Sequence, residues 1–173
     1  MLIDMNKLLL IAALLAGFLA GPAVAQTKGF QVKGVSGWLI EQRENDKYCN
    51  ASRDYRNAAD ENRDYGFVLT YSPERIVMVI FYEGWEWEKA GDSLSVDLST
   101  DKGDIMKKSR WEVLDKTGIR GVFDFDQKIL DGFSGAERLI IDVGDDEDDS
   151  IELEIPRATR MLAALKSCQE NRK

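Results

Sequence analysis

Residues 76–82 form an unbroken apolar run, Ile-Val-Met-Val-Ile-Phe-Tyr, rich in β-branched and aromatic side chains. Such a run predicts a strand buried on both faces. Leu94, Val96 and Leu98 then alternate with Ser93, Ser95 and Asp97, which predicts a strand with one wet face. Gly84 and Gly91 mark the turn between the two, and Trp85 and Trp87 lie at the rim of this unit. The same alternation recurs along the chain. Trp38 and Ile40 predict a strand over 37–43, and after the turn Glu44-Asn45-Asp46 a return strand covers 47–54. Phe67, Leu69 and Tyr71 mark another, Trp111 and Val113 a further one, and 119–125 follows Gly118. Leu139, Ile141 and Val143, then Ile151, Leu153 and Ile155, complete the set. Residues 26–36 are polar and read as a loose lead-in. Residues 53–64 are mixed in charge and poor in large apolar side chains, and read as an exposed, salt-bridge-rich loop.

Two stretches change period. Asp126 is placed as an N-cap ahead of Ile129, Leu130 and Phe133, predicting a short helix over 127–136. Beyond Pro156, residues 158–171 read as a helix with Met161, Leu162, Leu165 and Cys168 on one stripe. The pattern therefore predicts a mainly β (α+β) domain. Its architecture is an antiparallel β-sandwich or strongly bent sheet of about eight or nine strands, with a short helix and a C-terminal helix packed on it.

The beginning of the chain adds a destination. Lys7, an apolar core over 8–20, the Gly21-Pro22 break and Ala23-Val24-Ala25 have the layout of a secretory signal peptide over 1–25. A membrane anchor is the competing reading, but the apolar stretch is short for one. Asp4 is unusual in a positive leader, so Met5 competes with Met1 as the start. Cleavage leaves 26–173, roughly 150 residues without repeat or internal linker, as one periplasmic or secreted domain. Its formal net charge is −8 for the whole chain, and loss of Asp4 and Lys7 does not alter it. That balance disfavours nucleic acid and anionic membranes as partners, and suits a basic partner or a cation better. No later segment is apolar for long enough to span a bilayer as a helix.

Cys49 and Cys168 are the only cysteines, and in an oxidising compartment the pair reads as one disulfide. There is no histidine. Ser-His-Asp and Cys-His catalysis and His-ligated zinc are thereby excluded. With both cysteines bridged, thiolate chemistry goes too.

The remaining candidates are local. Asp145, Asp146, Glu147, Asp148 and Asp149 crowd one hairpin loop. They read as a solvated tip, a docking surface for a basic protein, or a calcium site, since calcium takes about six to eight oxygen ligands. The EF-hand spacing is not met: counted from Asp145, Ser150 stands at the glycine position and Pro156 at the bidentate glutamate position. Asp124/Asp126, Glu86/Glu88 and Glu152/Glu154 are carboxylate pairs which on a strand project about 7 Å apart. That spacing is conceivable for two-carboxylate hydrolysis, and equally ordinary on an exposed sheet face. Trp85 and Trp87, with Tyr82, are candidates for an exposed aromatic platform or for rim packing.

Trp38, Cys49, the Trp87-x-x-x-Gly91 segment leading to Val96-Asp97, and the closing Met161-Leu162-Ala-Ala-Leu165-Lys-Ser-Cys168 resemble small secreted bacterial proteins of the invasion-associated locus B-like kind. The resemblance implies an exported β-rich domain tied by cysteine, with no enzyme activity and no catalytic residues to carry over. The reading that follows is a non-catalytic envelope accessory or binding protein, without cofactor or metal, docking a basic protein through the acidic loop. The alternatives are a hydrolase using Asp124 and Asp126, and a calcium-dependent adhesion module.

Overall fold

The computed structural model describes residues 30–35, 37–42, 47–144 and 150–171. The leader 1–25, the turn at Glu44, Asn45 and Asp46, and the acidic loop tip 145–149 lie outside the described residues. Within them run β1 (Phe30–Val35), β2 (Trp38–Gln42), β3 (Asn50–Asn57), β4 (Arg63–Tyr71), β5 (Arg75–Tyr82), β6 (Ser93–Thr100), β7 (Gly103–Asp115) and β8 (Gly118–Asp124). Helix α1 (Gln127–Asp131), β9 (Arg138–Val143), β10 (Ile151–Glu154) and helix α2 (Ala158–Glu170) complete the chain.

The described strands form one antiparallel sheet, ordered β1-β2-β3-β4-β5-β8-β7-β6-β9-β10 and curled into a half-barrel. It is the bent-sheet form of the expected architecture, not a sandwich of two sheets. Sequential hairpins account for most neighbours. The exceptions are β5, which lies beside β8, and β6, which lies beside β9; residues 83–92 therefore cross the end of the β7–β8 hairpin before β6 begins. Trp87 N–H donates to the Lys116 carbonyl (2.9 Å) and Gly91 N–H to that of Val113 (2.8 Å), fastening the crossing.

The core fills the concave side. Ile76, Met78 and Ile80 of β5 face inward beside Phe67 and Leu69 of β4 and Ile119 of β8, all buried. The apolar run 76–82 is therefore not buried on both faces. Val77 and Val79 are half-buried on the convex side, where Phe81 is 38% and Val122 46% exposed, because no layer of the described chain covers that face. Phe81 lies across the neighbouring strands over Gly66 and Gly118. A Cβ at Gly118 would come within 2.9 Å of its ring, so glycine there permits the ring to lie flat on the sheet.

The polar segments differ from expectation in instructive ways. Part of the lead-in is β1, an edge strand whose pairing with β2 rests on the backbone ladder and needs no apolar run. The supposed loop 53–64 is the end of β3, a tight turn and the start of β4. Its register sets Arg53 opposite Phe67 and Tyr55 opposite Tyr65, on the concave face. Tyr55 stacks on Tyr65 at 5.3 Å, and the Arg53 guanidinium lies 4.8 Å above the Tyr55 ring. The stems of aromatic and arginine side chains supply apolar cover that charge counting overlooks. The segment is nonetheless rich in ion pairs: Arg56 with Asp64, and Arg63 with Asp60 and Glu61.

Curling brings β3 to the far edge. Glu154 N–H donates to Tyr55 Oη (2.8 Å), and Arg53 Nε donates to the Glu154 carbonyl (3.3 Å). Side chains of β3 thus occupy backbone groups that β10 would otherwise offer to another chain. At the same corner Trp38 Nε1 donates to the Pro156 carbonyl (2.9 Å), setting the entry to α2.

Helix α1 is shorter than expected, ending at Asp131, but Asp126 caps it as its position suggests, accepting from Lys128 N–H at 2.9 Å. Arg157 precedes α2 in a left-handed conformation (φ 54°) with no side-chain cap, so this helix owes its stability to docking. Ala158, Met161, Leu165 and Cys168 are its buried stripe. Leu162 departs from that stripe and is only half-buried.

One carboxylate joins distant segments. Asp101, in the β6–β7 turn, accepts from the N–H groups of Glu137 (2.9 Å) and Arg138 (3.2 Å) and pairs with Lys102 (3.0 Å). These donors hold its carboxyl down to about 2, from an ordinary 3.8. Because the group titrates lower folded than unfolded, its contribution is complete above about pH 4 and is lost as pH falls towards 2. Asp101→Asn should flatten that part of the acid-unfolding profile. An unchanged profile between pH 4 and 2 would show that Asp101 does not set it.

A cleft between the two helices is the candidate functional site

The two ends of the half-barrel are finished differently. At one end an unbroken series of rings runs Tyr55, Tyr65, Tyr82, Trp85, Trp87, with successive centroids 5.3, 4.8, 5.7 and 5.4 Å apart. Its polar atoms converge on Asp60. Tyr65 Oη and Tyr82 Oη donate to Asp60 Oδ2 at 2.7 and 2.8 Å, and Arg63 Nη1 donates to Asp60 Oδ1 at 3.0 Å. Hydrogen bonding from Tyr65, with Tyr82 and Arg63 behind it, lowers the Asp60 pKa, while burial pushes the Tyr65 hydroxyl up. This end is a packed plug. Trp85 is 2% exposed and belongs to the core, so it forms no exposed platform; Trp87 is half-buried beside it.

The other end is open. Between α1, α2 and the β4–β5 turn lies a cleft of about 870 Å³. Its floor is Tyr71 from the end of β4 and Phe125 just beyond β8, with ring centroids 6.2 Å apart, together with Pro73. Leu130 forms the α1 wall, and Leu162 and Ala163 form the α2 wall. Polar groups border it as well: the hydroxyls of Ser72, Ser134 and Thr159, the amides of Gln127 and Gln169, the ammonium of Lys166, and the carboxylates of Asp131 and Glu170. Burial, with Glu170 nearby, raises the Tyr71 pKa. A cleft of this size, with aromatic and aliphatic side chains beside polar ones, has the form of a small-molecule site.

The expected disulfide holds the α2 wall in place. Cys49 and Cys168 are bonded, with Cα atoms 6.1 Å apart, and both are buried. The next residue, Gln169, lines the cleft and turns its amide inward. Nε2 donates to the carbonyls of Tyr71 (2.6 Å) and Cys49 (3.3 Å). Gln169 thereby ties the helix wall to the strand that supplies the floor.

Three of the six paired carboxylates have structural partners. Asp126 caps α1, Glu152 pairs with Arg138 (3.0 Å), and Glu154 pairs with Arg53 (3.4 Å). Asp124 lies at the end of β8 opposite Arg75, and Glu86 and Glu88 are exposed in the crossing segment. Among the described residues no cluster of three or more His, Cys, Asp or Glu has a metal-binding arrangement. The stem of the acidic loop is an antiparallel hairpin, Ile141 opposite Ile151, with Ser150 Oγ donating to Asp142 Oδ1 (2.7 Å).

The cleft has no counterpart among the residues singled out from sequence. The signal that could have found it is Leu162, one position off the buried stripe of α2 with Ala163 and Lys166 on the same side. Among the described residues no helix is long and apolar enough to cross a membrane. Comparisons with protein-family models, curated proteins and solved structures found no match.

Proposed function

We propose that this chain is an exported, non-catalytic accessory or binding protein of the bacterial envelope, and that it holds a small ligand with an apolar body in the cleft between α1 and α2. The observation that carries this reading is the cleft itself: Tyr71 and Phe125, aliphatic Leu130, Leu162 and Ala163 on the two helices, and a polar rim. The absence of histidine and the disulfide-bonded cysteines support a binding role over a catalytic one. So do the ion-paired Glu152 and Glu154 and the helix-capping Asp126. The disulfide and the leader-like residues 1–25 support export, as does the resemblance to invasion-associated locus B-like proteins.

A fluorescent apolar probe such as 1-N-phenylnaphthylamine tests the reading. The protein should enhance its emission saturably, and Leu162→Asp, at a half-buried position, should remove the enhancement while leaving the far-ultraviolet circular dichroism unchanged. Equal enhancement by a folded Leu162→Asp variant would place the binding elsewhere.

A second reading is favoured by the hairpin that carries the acidic loop. The antiparallel β9 and β10 flank Asp145, Asp146, Glu147, Asp148 and Asp149, five acids consecutive in sequence, and such a run of like charge steers a basic protein towards it. Replacing the four aspartates by asparagine should abolish capture of such a partner in cross-linking. Unchanged capture would remove the loop from the account.

A further inference from the structure

The cleft's polar rim carries a charge preference as well as a position. Two carboxylates, Asp131 on α1 and Glu170 on α2, stand against one ammonium, Lys166. Asp131 Oδ1 accepts from the Gln127 amide (2.9 Å), a neutral partner that leaves its charge in place. Among the described residues neither Glu170 nor Lys166 has an ion pair closer than 4 Å, although they are one turn apart on the same helix. These three groups sum to a formal −1, within a chain whose formal net charge is −8. Two aromatic rings, Tyr71 and Phe125, also line the cleft, and an aromatic face attracts a cation through its quadrupole.

We infer that the cleft selects small organic cations, in which an ammonium group is joined to an apolar chain or ring. The apolar body lies against Phe125, Leu130 and Leu162, and the ammonium sits between Asp131 and Glu170 over the Tyr71 ring. Glu170 and Tyr71 both line the cleft, so carboxylate and ring border one volume. Lys166 opposes the cation from the rim, which makes its removal a test with a definite sign. The inference rests on the reading of the cleft as a ligand site and adds the ligand's charge.

The experiment is calorimetric titration of the disulfide-bonded protein with octylammonium, octanol and octanoate, which share a chain and differ in head group. Octylammonium should bind tightest and octanoate weakest, with about tenfold between the two, shrinking in high salt. Glu170→Gln and Asp131→Asn should each weaken octylammonium by about two- to fivefold, and Lys166→Gln should strengthen it by a similar factor. Octanoate should move in the opposite direction in each variant. Octanoate binding as tightly as octylammonium, or charge variants that leave the order unchanged, would overturn the cation preference and leave the cleft standing as an apolar site. Binding of none of the three would overturn the cleft as a site, and the preference with it.

Discussion

Serine at both Cys49 and Cys168 should lower the melting temperature by about 8 to 20 °C without abolishing the fold. The bond joins residues 119 apart in sequence. Cross-linking a loop of that length removes unfolded-chain entropy worth on the order of 4 to 5 kcal/mol. For a domain of this size each kcal/mol corresponds to about 2 to 4 °C. What remains after the substitution is the buried stripe of α2, the Trp38–Pro156 hydrogen bond and the Gln169 bridge. Those contacts should keep the helix docked near room temperature. Because α2 lacks a side-chain cap and forms one wall of the cleft, ligand binding in the variant should fail at a lower temperature than in the bridged protein. A scan by calorimetry checks this, and a shift under about 5 °C would show that the apolar stripe, not the bond, holds the helix.

Trp85→Ala should cost about as much, through a different mechanism. Its indole is 2% exposed, packed edge-on to Tyr82 at 5.7 Å and against Trp87 at 5.4 Å. Truncating a buried tryptophan costs about 3 to 5 kcal/mol in lost transfer energy and residual cavity. The loss also loosens residues 83–92, which cross the β7–β8 turn and have few other buried side chains. Trp87→Ala should cost clearly less, because Trp87 is half-buried and its Nε1 has no hydrogen-bond partner among the described residues. Chemical denaturation of both variants measures the difference. A Trp87→Ala loss equal to that of Trp85→Ala would mean that the half-buried ring is the anchor of the plug.

These two sites show what a linear pattern can and cannot convey. Cysteine count and the stripe holding Met161, Leu165 and Cys168 were enough to bring the two ends of the domain together. Alternation located β6, β9 and β10, and Asp126 located the start of α1. Alternation failed where apolar surface belongs to residues classed as polar. Arg53 and Tyr55 turn inward on β3, and no count of large aliphatic residues reports that. It also misjudged β5, since an unbroken apolar run does not say whether a second layer exists to cover its outer side.

The cleft was illegible for a related reason. Its parts come from the end of β4, the segment around α1, and the side of α2 next to its buried stripe. None of those segments is unusual alone, and their meeting depends on the curl of the sheet and the staple between β3 and α2. Trp85 and Trp87 drew notice because tryptophans two apart are conspicuous in a sequence. Chain topology then folds them inward as a plug at the opposite end.

The central claim is that the cleft is the ligand site of this domain. Amide chemical-shift mapping during titration with octylammonium tests it most directly. The largest shifts are expected at Leu130, Leu162, Ala163, Lys166 and Gln169, with little movement at Val77, Phe81 and Val122 on the convex face. Shifts concentrated on that face, with the residues between the helices still, would contradict it.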